Sequence, residues 1–481
     1  MQRIKHQGRC WWFVAGLTPI ILLAGCAVGP NYKSPKTPVS SAFANPPTNI
    51  VSGDEAALTT WWRGFNEGRL DKLIARAVTN NHDLRIATAN LREVRALRRL
   101  TTFDLAPTIN ANAGYQNSLL SKSAAIPGTP RDAREVELYD ASFDATWELD
   151  FFGRVRRSVQ AANAEVAATD AARLDVLVSV TAEVTRNYFE LRGLQNQLAV
   201  ARKNAGVQTE TLKLTQSLLE GGRGTDFDVS RSRSLLNLTL STIPPLEAAI
   251  QKTIYRLSVL AGQQPTTLTP ELSAPEPLPA TLPAIALGDP AALLRRRPDI
   301  RAAERSLAAA TARIGVATAD LFPRVTFIGS VGLQADTFAG LGKSGADTWN
   351  FGPRITWAAL DLGRVRARIK AADARTEASL AFYERIVLGA LEETEGALVD
   401  FSHEQTRQRF LQDSAQASQK AADLAHQRYE AGTADFLSVL DAERTLLEAQ
   451  DRLAASQTRT VTALVAVYKA LGGGVSVSDS K

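Results

Sequence analysis

The 481-residue sequence predicts a mixed α and β membrane protein in which each chain lends four β-strands to an oligomeric barrel. Three observations predict it. No segment after the first 26 residues approaches the ~20 uncharged apolar residues of a membrane helix. Four runs, each about the ten residues of a tilted membrane strand, alternate apolar and polar side chains. The chain is also an internal duplication, and each copy holds two of these runs among long helices. The composition, 45% hydrophobic and 22% charged, is that of a folded protein and excludes disordered and disulfide mini-protein classes. A net charge of +5 with no basic block beyond the first residues argues against nucleic acid as a partner. The two cysteines and four histidines are scattered and offer no zinc cluster or disulfide framework, so no metal and no cofactor is expected.

Residues 1–25 read as a signal peptide. Arg3, Lys5 and Arg9 form a basic start, and Cys10 to Leu23 is an apolar stretch too short to span a bilayer comfortably. Leu23-Ala24-Gly25-Cys26 resembles the bacterial lipobox, in which the cysteine is lipidated and becomes the new N-terminus; a plain signal peptide with a chance cysteine is the alternative. Ala27, where an aspartate would retain an enteric-type lipoprotein at the inner membrane, suggests the outer membrane. Removing the leader takes away three positive charges and Met1, leaving a formal charge of +2 and no methionine.

The duplication shows as matched segments. Asp83-Leu84-Arg85 and Asp104-Leu105-Ala106-Pro107 recur 216 residues on, as Asp299-Ile300-Arg301 and Asp320-Leu321-Phe322-Pro323. Trp147 with Gly153-Arg154-Val155-Arg156 recurs 210 residues on, at Trp357 and Gly363-Arg364-Val365-Arg366, as does Gly262 at Gly472. Asp226-Phe227 recurs at an offset of 209 as Asp435-Phe436. The expected layout is a lipidated extended segment at 26–66, a first repeat at 67–265, a Pro-rich extended linker at 266–290, a second repeat at 291–472 and a flexible tail at 473–481.

Each repeat reads as helix, two strands, and a hairpin of long helices. The strands are expected near 107–118, 138–150, 323–334 and 348–358. Tyr139, Ala141, Phe143, Ala145, Trp147 and Leu149 alternate with Asp140, Ser142, Asp144, Thr146, Glu148 and Asp150, and period two puts them on opposite faces. A half-buried sheet of a soluble domain gives the same pattern. Against it stand the acids in series on the polar face, suited to a wet lumen, and the aromatics Tyr139, Trp147, Trp349 and Trp357 on the other, suited to a lipid interface. Four strands cannot close a barrel, and open edges are not tolerated in lipid, so an oligomer is required; a trimer supplies 12 strands.

The hairpins are expected at ~154–262 and ~364–471. Leu174, Leu177, Thr181, Val184, Tyr188 and Leu191 follow 3-4 spacing, as do Leu380, Tyr383, Val387, Ala390, Thr394, Ala397 and Phe401. About 65 residues at ~1.5 Å each give roughly 100 Å of helix. Gly221, Gly222 and Gly224 mark the first tip and Gly432 the second, as left-handed helix caps require. Pro244-Pro245 is expected to break the first return helix. A soluble coiled-coil hairpin is the plainer fate of such helices.

Together these features resemble the TolC-like outer-membrane factors, in the lipoprotein branch that includes the NodT-type factors of multidrug efflux pumps. Cys26-Ala-Val-Gly-Pro-Asn-Tyr32, Ile243-Pro-Pro-Leu246, Arg297-Pro-Asp-Ile-Arg301, Asp361-Leu-Gly-Arg364 and the stretch from Tyr429 to Arg444 carry the resemblance over nearly the whole mature chain. It implies a homotrimer with a 12-stranded barrel in the outer membrane, continued by an α-helical periplasmic tunnel. Its partners would be outer-membrane lipid, a periplasmic adaptor (membrane fusion) protein at the hairpin tips and an inner-membrane resistance-nodulation-division (RND-type) transporter, the source of energy. Arg233 at the first tip departs from the family, where a small residue is common. The resemblance also implies a periplasmic gate at Leu437, an apolar ring, with Asp441 and Arg444 as charged ring and partner. On spacing alone Asp441 and Arg444 are an ordinary surface pair. Cys26 would carry palmitate. The expected function is a passive exit duct for small molecules such as drugs, with no enzymatic activity. The duct of a type I protein secretion system, or a periplasmic coiled-coil adaptor lipoprotein, is the alternative. The lack of thioether ligands in the mature chain argues against copper or silver as cargo.

Overall fold

The computed structural model describes residues 27–45, 50–51 and 58–475. The leader, Cys26 and the tail after 475 lie outside the described residues. Two runs of the same elements follow one another: α1 (Gly68–Asn80), α2 (His82–Phe103), β1 (Thr108–Leu119), β2 (Glu135–Leu149), α3 (Arg154–Glu220), α4 (Asp226–Leu260), then α5 (Pro290–Arg296), α6 (Pro298–Ala319), β3 (Arg324–Ala335), β4 (Asp347–Thr356), α7 (Leu362–Glu430) and α8 (Phe436–Ala470). No described helix is long and apolar enough to cross a membrane. The chain divides into two compact units, one of Met1–Lys36, Leu91–Thr169 and Ala303–Tyr383, the other of Thr37–Asn90, Asp170–Ala302 and Glu384–Lys481.

The first unit holds an antiparallel sheet in the order β1-β2-β3-β4. Its register aligns the apolar residues of all four strands. Ala111 pairs with Phe143, Phe143 with Val331 and Val331 with Trp349; Trp147 pairs with Phe327. Polar rows alternate with these: Asn110–Asp144–Ser330–Asn350 runs across the sheet on the other face. A slip of one residue between any two strands would mix the faces, so the pattern that predicts the strands also fixes their pairing. Large apolar side chains stay open to solvent in the single chain; Phe143 is 61% and Ile355 68% exposed. Both copies tie the sheet to the preceding helix alike. The indole N–H of Trp147 donates to the Leu105 carbonyl at 3.0 Å, and that of Trp357 to Leu321 at 3.0 Å.

The second unit holds the main core. Trp61, Phe65, Leu70 and Leu73 pack with Tyr188, Phe189, Ile254, Leu398, Phe401 and Leu464, all buried. Trp61 stacks on Tyr468 with ring centroids 4.8 Å apart. The 3-4 stripe is the buried face of the long helices: Thr181, Val184, Tyr188 and Leu191, and Val387, Ala390, Thr394 and Phe401. Helices α3 and α8 cross closely at Gly193, where a Cβ would run into the Thr458 side chain. The duplication again repeats a device. Buried Asn81 donates to the carbonyl of Leu260 at 3.0 Å at the end of α4; Arg297 donates to that of Ala470 at 2.8 Å at the end of α8. A helix C-terminus leaves carbonyls without partners, and each repeat spends one side chain on them.

Four expectations are corrected. Pro244 and Pro245 do not break α4, which is continuous over Asp226–Leu260. Both prolines are exposed, so the carbonyls that lose an N–H donor sit on the solvated side, and the hydroxyls of Ser241 and Thr242 bond the carbonyls of Leu238 and Thr239. The linker is not wholly extended: Thr269–Leu272 forms a helical turn, and Ile285–Ala286 pairs in parallel with Ile50–Val51. The segment ahead of the first repeat ends in a 3₁₀ helix, Trp61–Phe65, because two of its aromatics enter the core. Finally, the match of Asp226-Phe227 to Asp435-Phe436 is out of step by one residue. Thr225 and Asp435 are the equivalent N-caps, so Phe436, buried, corresponds to Asp226, and exposed Phe227 to exposed Leu437.

Candidate functional site

The hairpin tips are built by capping chemistry. After α3, Gly222 takes φ +68°, and the N–H groups of Arg223 and Gly224 return to the Leu218 carbonyl. Gly221 and Gly224 flank it. Thr225 then starts α4 with a capping box: its hydroxyl accepts the Asp228 N–H at 3.2 Å, and the Asp228 carboxylate accepts the Thr225 N–H at 3.3 Å. The second tip repeats the design with Gly432 at φ +69° and the Thr433 N–H on the Arg428 carbonyl. Asp435 caps α8, accepting the Ser438 hydroxyl at 2.6 Å and its N–H at 3.0 Å, and these bonds hold the Asp435 carboxyl below its ordinary value.

Beyond that cap, Leu437 is exposed, and Asp441, one turn on, is exposed too. Arg444 donates to Asp441 at 2.9 Å with both side chains more than 60% open to solvent. Within one chain this is an intrahelical pair worth a few tenths of a kcal/mol. The opposite face of α8 is anchored: Phe436, Val439 and Leu440 pack on Leu235, Ala425 and Tyr429.

Sequence reasoning missed a polar cluster behind the exposed stripe. Glu443 is buried on α8, accepts the Thr211 hydroxyl of α3 at 2.9 Å and lies 3.0 Å from Nε2 of His426 on α7. It borders a cavity of about 150 Å³ into which Asn204 and Gln208 also project, each with a buried polar atom lacking a partner. One signal was available: Glu443 follows Phe436, Val439 and Leu440 in the apolar phase of the helix, so an acid occupies a core position. Among the described residues no group of His, Cys, Asp or Glu could hold a metal ion.

Two helical hairpins repeated in one chain, with a sheet that is apolar on one face and polar on the other, define the class of outer-membrane channel subunits. The chain matches the family described as outer membrane efflux protein over residues 73–263 and 290–473. It is 31% identical over 469 residues to the solvent efflux pump outer membrane protein SrpC of Pseudomonas putida, covering 96% of this chain and 98% of that one. It is 30% identical over 466 residues to nodulation protein T of Rhizobium leguminosarum bv. trifolii, covering 94% and 96%. Among solved structures it is similar to the outer-membrane channel OprN, at 41% identity and a TM-score of 0.86 over 93% of this chain and 99% of that one. It is also similar to the open state of the Neisseria gonorrhoeae MtrE channel, at 29% identity and a TM-score of 0.81 over 93% and 98%. The chain belongs to the outer membrane efflux protein family. It is an efflux component of the outer membrane, a channel protein and not an enzyme.

Proposed function

We propose that three copies of this chain form the exit duct of a tripartite efflux system, each giving β1–β4 to a 12-stranded barrel continued by a periplasmic tunnel of the hairpins. The observation that carries the reading is the sheet: one apolar face in register over four strands, and an order that leaves β1 and β4 each with a free edge. In lipid an open edge strands backbone groups without partners, and pairing β4 of one copy with β1 of the next removes every edge. Cys26 carries the lipid. The tips at Gly221, Gly222, Gly224 and Gly432 dock a periplasmic adaptor, and an RND-type inner-membrane transporter supplies the energy. Leu437, Asp441 and Arg444 form the resting closure. The cargo is small organic molecules, a class supported by the solvent pump named in one relative. Detergent-extracted protein should have three times the mass of the processed chain. A stable monomer or an even-numbered ring overturns the barrel. If deletion of the gene leaves susceptibility to organic solvents and drugs unchanged in cells that keep the transporter, the efflux role falls.

A further inference from the structure

The motif that follows the lipobox, Ala27-Val-Gly-Pro-Asn-Tyr32, is held in the first unit by a built site. Arg157, on the first turn of α3 and 4% exposed, donates to three consecutive carbonyls: Ala27 at 3.2 Å, Val28 at 3.0 Å and Gly29 at 3.0 Å. Its remaining arm donates to Gln160 at 2.9 Å. The Val28 N–H donates to the Phe152 carbonyl at 3.1 Å. Three glycines make room. Gly29, at φ +88°, lies against Gly315, Gly153, at φ +80°, lies against Ala27, and a Cβ on Gly315 would press on the Arg157 side chain. Farther along, the Tyr32 hydroxyl donates to Glu304 at 2.9 Å and the Arg305 guanidinium lies over its ring. The second repeat has no such site. Gly153-Arg154-Val155-Arg156 matches Gly363-Arg364-Val365-Arg366, and the next residue is Ala367 where the first repeat has Arg157.

We infer that Arg157 is the docking residue for the chain's own lipid-bearing N-terminus. This rests on the lipidation of Cys26. A guanidinium offers five N–H donors in a rigid fork, and bonds from a charged donor to carbonyls are stronger than neutral ones. Ala27, the residue that follows Cys26 in the sequence, lies against Gly153, and the Val28 N–H bond holds the segment at Phe152. Phe152 follows the end of β2, at the end of the sheet where Trp147 and Trp357 stand. Aromatic side chains at a strand end mark the membrane interface. The clamp therefore brings acyl anchor and sheet to one level of the bilayer, once per chain.

The test uses the full chain extracted from outer membranes and limited trypsin, which cuts after Lys33 and Lys36. Arg157→Ala should raise the cleavage rate at these two sites by at least about ten-fold, and Arg157→Lys, which keeps charge without the fork, should fall between. Gly29→Val, which blocks the slot from the chain's side and leaves α3 untouched, should match Arg157→Ala and serves if that variant fails to assemble. Cleavage at the parent rate in Gly29→Val or in assembled Arg157→Ala overturns the docking role. The mass of the N-terminal peptide reads the lipid separately. A parent chain that is protected but carries no lipid refutes lipidation and leaves the clamp standing. A chain made with a conventional cleavable leader that starts at Ala27 should stay protected; loss of protection there would mean that membrane attachment, not Arg157, holds the segment.

Discussion

Arg297 makes four hydrogen bonds within the second unit, and its removal should be measurable. Its guanidinium grips Asp299 with two bonds of 3.1 and 2.8 Å, reaches Glu393 at 2.8 Å and closes α8 through the Ala470 carbonyl at 2.8 Å. The side chain is 11% exposed, so truncation leaves the buried Ala470 carbonyl with only the 3.4 Å bond from the Thr394 hydroxyl, and the Asp299 carboxylate with only the Ile300 N–H at 2.9 Å. A bond from a charged group to a buried partner contributes ~1.5–3 kcal/mol. The Glu393 arm is 37% exposed and adds less than ~1 kcal/mol. Arg297→Ala should therefore cost about 3–4 kcal/mol, and Arg297→Lys about half of that, because charge survives without the fork. At ~2 °C per kcal/mol for a large cooperative unit, the alanine variant should lose helical circular dichroism roughly 6–8 °C below the parent at pH 7. Acid should narrow the gap. Burial alone raises the Glu393 carboxyl, but hydrogen bonds from Lys469 and Arg297 outweigh it and hold the carboxyl below its ordinary 4.5. A depressed carboxyl gives stability that is full above its unfolded value and lost as pH falls through the folded one, so the part shared with Arg297 fades below about pH 4.5. A midpoint within 1 °C of the parent at pH 7 would refute the reasoning, and a gap constant from pH 7 to pH 3 would refute its electrostatic part.

Other expectations follow from the same helices. Glu443→Ala leaves the Thr211 hydroxyl and His426 without their buried acceptor, and should lower the thermal midpoint by an amount equivalent to ~1–3 kcal/mol; an unchanged midpoint would show that water replaces the carboxylate. Asp175 is raised by burial first and by neighbouring Asp299 next, so its charge opposes folding above its ordinary value. Asp175→Asn should stabilise at pH 7 and have no effect below pH 3, and a loss at pH 7 would contradict this. Leu437→Ala, Asp441→Ala and Arg444→Ala should leave the midpoint within the few tenths of a kcal/mol of a surface pair while raising single-channel conductance in planar bilayers. Conductance equal to the parent in all three at equal expression would place the constriction elsewhere.

Features governed by local rules were legible in the sequence. Period two located β1–β4 to within a few residues, because each strand needs one apolar face, and the same apolar rows then set the register. The glycines at 222 and 432 announced their turns, since the left-handed backbone there suits little else. What depends on partners distant in sequence was not legible. Thr211, His426 and Glu443 meet from three helices, and only Glu443 lies in a motif, which says nothing of its partners. Arg157 reads as one more basic residue at a helix start until the N-terminal segment is seen against it. Pro244-Pro245 signals a break under a rule for isolated helices, and their exposure on a helix held by its other face overrides it.

The corrected alignment of the tips yields the last expectation. With Thr225 and Asp435 equivalent, Leu437 corresponds to Phe227, Asp441 to Arg231 and Arg444 to Ser234. The two return helices thus carry opposite charges at the same turn, and Arg231 lies over the ring of Phe227, 5.2 Å from its centroid, rather than in an ion pair. In a closed trimer the six return helices would alternate Asp441 and Arg231 at one level around the axis, so a carboxylate ring need not face only its own kind. Arg231→Asp makes that level uniformly acidic, and six like charges repel where three of each sign attract. The variant is expected to conduct more than Asp441→Ala, which only removes attraction, and the excess should shrink in high salt. Adding Asp441→Arg restores alternation with the signs exchanged and should bring conductance back toward the parent. If Arg231→Asp conducts like the parent at low salt, the first hairpin takes no part in closure and Arg444 alone balances Asp441.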